Sequence, residues 1–144
     1  MKTRIELISE DQPEEIVVRC YSITDEIQNM ISFIENDKKI IGYKRGTAYP
    51  LKMNDIYYFE TVDQKAFIYC EKDIYESKMK LYEFEREADG TSFFRASKSL
   101  IINADKIDSI KPSLSGRFEV ILLNKEKLIV SRQYVRVLKH MIGL

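Results

Sequence analysis

A chain of 144 residues has the size of one domain with at most a short annex, and 44% hydrophobic against 32% charged residues describes a globular protein rather than an extended disordered one. No apolar run approaches the ~18 residues of a membrane span, and the first ten residues lack a signal-peptide stretch, so the sequence reads as cytoplasmic, without direct membrane insertion. Formal charge is zero overall, but residues 1–94 carry 13 Lys and Arg against 19 Asp and Glu, and residues 95–144 carry 10 against 4, so a polyanionic partner is expected to meet the last third.

Residues 3–8 and 15–21 look like two short strands joined around Pro13 in a hairpin. The period then changes: Ile27, Met30, Ile31 and Ile34 follow one another at helical spacing after the cap-like Ser22-Ile-Thr-Asp25, predicting an amphipathic helix. Its polar end, Glu35-Asn-Asp-Lys-Lys39, divides a 1–38 annex from a main domain over 39–144. Within that domain, short runs rich in Ile, Tyr and Phe, spaced about ten residues apart by polar turns, predict strands near 39–43, 48–52, 55–60, 65–70 and 73–76. A second helix is expected from a Ser77 cap to Ala88, stopped by Asp89-Gly90. Strands resume at 93–94, 100–102, 107–111, 117–123 and 128–130, the last two joined by a turn at Asn124-Lys-Glu126. Cys20 and Cys70, far apart and without a His nearby, offer neither zinc spacing nor a dense disulfide framework and are expected to be small buried thiols.

After Ser131, a natural N-cap, Tyr134, Val135, Leu138, Met141 and Ile142 mark the apolar face of a closing helix. Arg132, Arg136 and Lys139 fall on its other side, a stripe of cations able to follow a phosphate backbone or simply to face solvent.

The run Phe93-Phe-Arg-Ala-Ser-Lys-Ser-Leu-Ile-Ile-Asn103, then Ile107-Asp-Ser-Ile110, Gly116, Val120-Ile-Leu-Leu-Asn124 and Val130-Ser-Arg-Gln-Tyr134, resembles in order and spacing the C-terminal pattern of LytTR DNA-binding domains. Upstream, Ile56-Tyr-Tyr-Phe-Glu60 looks like the family's central strand, so the resemblance covers about 100 residues. It implies a mainly β (α+β) fold, an elongated arrangement of several small sheets with a C-terminal helix, here preceded by the hairpin/helix annex. In such a fold loops, not a recognition helix, enter successive major grooves of duplex DNA. Carried over position by position, the contacts correspond to Lys65 and Ala66, to Ser97 and Lys98, and to Arg132 and Gln133, with Arg136, Lys139, Lys44 and Arg45 as phosphate contacts. The sequence departs from the family with Ala66, Lys98 and Gln133 at contact positions and with Lys125 at a frequent turn glycine, which leaves the base preference open.

The 38 annex residues are too few for the receiver domain to which the family is often fused, which argues against a conventional response regulator. The annex is acidic, with 5 basic against 9 acidic residues in 1–43, and suits protein contact: packing on the core, pairing of two protomers in a homodimer, or a membrane-protein inhibitor or partner of the kind the resemblance implies. No cofactor is expected. The sequence holds no Ser/His/Asp set, phosphate loop or metal spacing, and its one histidine, His140, sits near the end of the last helix, so an enzyme is not expected. Two other readings stand beside DNA binding: a β-rich protein-interaction module, and single-strand binding through Tyr43, Tyr49 and Tyr69.

Overall fold

The apolar runs become strands because each can bury alternate side chains, and the extent of burial decides where each lies. The computed structural model describes residues 1–35 and 38–144; Asn36 and Asp37, at the expected annex boundary, lie outside the described residues. Helix α1 (Asp25–Glu35) is followed by β1 (Lys39–Lys44), β2 (Thr47–Lys52), β3 (Tyr58–Val62), β4 (Lys65–Tyr69) and β5 (Ile74–Ser77), then by α2 (Leu81–Glu87). Next come β6 (Phe93–Arg95), β7 (Leu100–Asn103), β8 (Ile107–Pro112), β9 (Phe118–Leu122) and β10 (Lys127–Val130), and finally α3 (Val135–Met141). Seven strands form one sheet in the order β2-β1-β5-β4-β3-β7-β6, and three form a second in the order β10-β9-β8, all pairs antiparallel.

The larger sheet has a core on each face. Phe59, Ala66, Ile68 and Ile101 point to one side, where they meet Phe84 of α2, whose ring stacks on Phe59 at 4.4 Å. Tyr58, Phe94, Leu100 and Ile102 point to the other, against Val120, Leu122 and Val130 of the second sheet and Leu138 of α3. Strand β7 therefore reads as an unbroken apolar run because both of its faces are covered. Its last residue, Asn103, is buried and bonded through both ends of its amide: the nitrogen donates to the Ile56 carbonyl at 2.9 Å, and the oxygen accepts from the Asp105 amide at 3.1 Å and the Ser92 hydroxyl at 2.6 Å. Between the sheets the rings of Tyr58 and Tyr69 stack at 4.1 Å. Burial beside them holds the Glu60 carboxyl above its ordinary range, opposed by its bond with the Tyr69 hydroxyl.

Several local expectations are corrected. No hairpin forms before α1: residues 3–8 and 15–21 make no ladder, and Ile5 and Leu7 stand 91% and 94% exposed. An isolated two-stranded ribbon is marginal in water, and neither sheet offers these residues a face to bury. Cys20 lies in the same exposed segment, so it is not a buried thiol, while burial pushes the Cys70 thiol up to about 11. Ser77 ends β5 instead of capping α2; its hydroxyl accepts from the Met79 amide at 3.0 Å, and the helix starts where the Glu83 carboxylate accepts from the Lys80 amide at 3.1 Å. Helix α1 matches its expected span, with the Thr24 hydroxyl accepting from the Ile27 amide at 3.3 Å. Its Ile27 is buried and its Asn29 lies beside Gly90 in the turn after α2, while Lys38 forms an ion pair of 2.6 Å with Glu87, the last residue of α2.

Candidate nucleic-acid interface

Three chain segments that are distant in sequence meet at one end of the larger sheet. The first is the tight turn between β3 and β4, where Val62 pairs with Lys65 and both intervening residues, Asp63 (φ 50°) and Gln64 (φ 66°), are left-handed. That geometry matches the twist of a hairpin, and it leaves Lys65 exposed at the edge. The second is the loop between β6 and β7, in which Ala96 donates to the Leu100 carbonyl at 2.8 Å and Ser99 donates to the Ser97 hydroxyl at 3.2 Å. The third is the Ser131-Arg132-Gln133 entry to α3.

Main-chain bonds fasten these segments side by side. The Thr61 amide, at the end of β3, donates to the Ser99 carbonyl at 2.9 Å, and the Ser131 amide donates to the Ala96 carbonyl at 2.9 Å. Lys98 therefore sits on the middle segment, with the Lys65 turn on one side and Arg132 on the other; all three are exposed. Arg95 reaches back over the middle loop, donating from Nε to the Ser97 carbonyl (2.6 Å), from one terminal nitrogen to the Lys98 carbonyl (2.7 Å) and from the other to Glu85 (3.0 Å). Arg132 crosses the turn between β8 and β9: a Cβ on Gly116, whose φ is +75°, would stand 2.9 Å from the Arg132 Cδ. The result is a cationic edge built from turns, each held by main-chain bonds, which is suited to groove edges and phosphates.

The family model for the LytTr DNA-binding domain matches residues 46–143. The chain belongs to the LytTR family. The sensory transduction protein LytT of Enterococcus faecalis is 31% identical over 96 residues, 67% of this chain and 40% of that protein. The transcriptional regulatory protein YpdB of Escherichia coli is 29% identical over 93 residues, 64% of this chain and 38% of that protein. This chain thus spans about 40% of the length of these two relatives. A Staphylococcus aureus protein described as an uncharacterised HTH-type transcriptional regulator aligns at 21% identity over 100% of this chain and 99% of its own. A solved LytTr DNA-binding domain from Bacillus cereus superposes with a TM-score of 0.70 at 25% identity, covering 76% of this chain and 100% of that one. The mainly β fold is that of the family, whose members are DNA-binding transcription regulators rather than enzymes, and a module confined to protein contacts is not favoured.

Within the LytTR domain, Lys65, Ser97, Lys98, Arg132 and Gln133 are brought to one end of the sheet, and Ser97 is partly spent on the Ser99 amide. Ala66 is not at the edge: it is 7% exposed and its methyl packs in the α2-side core, because the residue after Lys65 must point to the opposite face of the strand. The three cations of the closing segment stand on two kinds of helix: Arg132 belongs to a 3-10 turn, Arg132–Tyr134, that precedes α3, whereas Arg136 and Lys139 lie on α3 itself, and all three are exposed. The Lys139 ammonium lies 5.3 Å from the centre of the Phe118 ring and stays exposed there. Ser131 precedes this turn without a capping bond from its hydroxyl. Lys44 is committed elsewhere, 2.9 Å from Asp73 just ahead of β5, whereas Lys65 lies by the other end of that strand, where Ala66 pairs with Ser77. The β1–β2 turn with Arg45 is thus away from the end of the sheet that carries Lys65, Lys98 and Arg132. Sequence reasoning gave no role to two neighbours of these residues: Arg95, hidden inside the family pattern, and the loop of Ser113 to Gly116 beneath Arg132, of which that pattern held only Gly116.

Proposed function

We propose that this chain regulates transcription in the cytoplasm by reading duplex DNA with the turn-built edge described above. Lys65, Lys98, Arg132 and Gln133 face base edges, Ser97 supports the middle turn, and Arg136 and Lys139 follow phosphates. The observation that supports this reading most is the pair of main-chain bonds, Thr61 to Ser99 and Ser131 to Ala96, which hold the three chain segments side by side. Lys98 and Arg132 suit guanine O6 and N7, and Gln133 offers adenine both a donor and an acceptor. Such short, separated contacts favour two protomers on repeated sites. Residues 1–38 supply the protein contact: large apolar side chains, Ile5, Leu7, Ile16, Val17 and Tyr21 among them, are exposed in the single chain and would be covered by a second protomer or by a membrane-protein partner.

Genome-fragment selection with purified protein at two salt concentrations tests this, beside the Lys98→Ala/Arg132→Ala double variant. A repeated duplex motif, lost in the variant, is the expected result. Salt-labile binding without a motif would reduce the edge to a nonspecific polyanion surface.

A further inference from the structure

We propose that Arg95 is the positioning residue of DNA reading: it does not touch DNA, and it presents Lys98 by holding the carbonyls of the reading turn. The inference rests on the reading of Lys98 as a base contact. An arginine is required because the guanidinium is a planar fork with five donors and no acceptor, able to satisfy two neighbouring carbonyls and a carboxylate at once. In this chain those three partners are the Ser97 carbonyl at 2.6 Å, the Lys98 carbonyl at 2.7 Å and Glu85 at 3.0 Å. Lysine, a single ammonium, reaches one of them well.

The far end of the clamp is fixed. Glu85 lies on α2 next to Phe84, which is fully buried between Phe59, stacked at 4.4 Å, and Phe93, edge-on at 5.3 Å. The near end is fixed by β6, where Arg95 pairs with Ile101. The side chain of Arg95 is 26% exposed and its charge is directed at Glu85 and two carbonyl dipoles. It therefore adds little to the phosphate-facing charge, although it stands within the basic third of the sequence. What it supplies is order: with both carbonyls bound, the turn has one conformation before DNA arrives, and the Lys98 side chain starts from a defined point.

The experiment compares Arg95→Lys, Arg95→Gln, Glu85→Gln and Lys98→Ala, each as the full chain. Three quantities are read: amide NMR order parameters of residues 97–99 without DNA, thermal unfolding, and affinity for the selected duplex against a scrambled duplex. Arg95→Lys and Arg95→Gln are expected to lower the order parameters of 97–99 and to cut the preference for the selected duplex about tenfold, leaving scrambled-duplex affinity unchanged. In the Lys98→Ala background, Arg95→Gln should cost no further preference. Turn order and preference both unchanged in folded Arg95 variants would overturn the inference. Should Arg95→Gln not fold, Arg95→Lys and Glu85→Gln decide by the same two readouts. If Lys98→Ala alone leaves the preference intact while the Arg95 variants disorder the turn, the base-contact reading of Lys98 fails and Arg95 stands only as the organiser of the turn.

Discussion

Removing the side-chain amide of Asn103 should cost the fold more than removing any surface charge. In Asn103→Ala, the Ile56 carbonyl and the Asp105 amide lose their partners at 2.9 Å and 3.1 Å, and the Ser92 hydroxyl loses its acceptor. The Ser92 hydroxyl can rotate, but the two main-chain groups are fixed beside a residue that is 1% exposed. The Ile56 carbonyl is buried and the Asp105 amide only partly so; each buried group left unpaired costs about 1–3 kcal/mol, so a loss of about 2 kcal/mol is expected. A domain of this size is stable by on the order of 10 kcal/mol, which makes the variant folded but visibly weakened. Urea unfolding followed by circular dichroism should give a lower midpoint with an unchanged slope. Asn103→Asp should be worse, since it removes the donor to Ile56 and buries a charge. A loss under about 0.5 kcal/mol for Asn103→Ala would refute the reasoning, because it would mean that these groups find other partners at no cost.

Three further outcomes are expected. Lys98→Ala and Arg132→Ala should each cost about 1–3 kcal/mol and relax preference at one position, whereas Arg136→Ala should weaken all duplexes alike and reduce the salt slope by about 1; titrations at several salt concentrations separate the two patterns. Gly116→Ala introduces a side chain at φ +75° that collides with Arg132 Cδ at 2.9 Å, so it should lose about 1 kcal/mol of stability and disturb the contact made by Arg132; thermal unfolding and duplex affinity measure both. Glu60 has a folded-state pKa raised by burial, so its stabilising contribution is present below its ordinary value of 4.5 and is lost as the pH rises through the folded value. Glu60→Gln keeps an acceptor for Tyr69 without the charge, so it should raise the melting temperature at pH 7 and show no advantage below about pH 4.5; a lower melting temperature at pH 7 would contradict this.

The strands were legible because their apolar alternation is imposed by cores on both faces of the sheet, and the unbroken Leu100-Ile101-Ile102 run is the clearest case. Helix α1 was legible from the spacing of its apolar residues and from its Thr24 cap. The N-terminal hairpin was misread for the opposite reason: residues 3–8 and 15–21 carry β-type composition, but no folded surface receives them, and periodicity alone does not report a missing partner. At the candidate site, family order and spacing singled out Lys65, Lys98 and Arg132, which the fold brings to one end of the sheet, yet one step along a strand moved Ala66 into the core. The role of Arg95 was illegible because its three partners are a carboxylate ten residues away and two carbonyls, and carbonyls leave no trace in the identity of the residues that carry them. Lys125, noted where the family often has glycine, shows the reason in its φ of +75°.

The bonds from Thr61 to Ser99 and from Ser131 to Ala96 join peptide groups only, so they are indifferent to which side chains occupy the neighbouring positions. Residues 65, 98, 132 and 133 can therefore be exchanged, by mutation over generations or by design, while the turns that present them stay where they are. Under the proposed reading, preference for a new operator is reachable by single substitutions at these exposed positions, with the two cores left untouched.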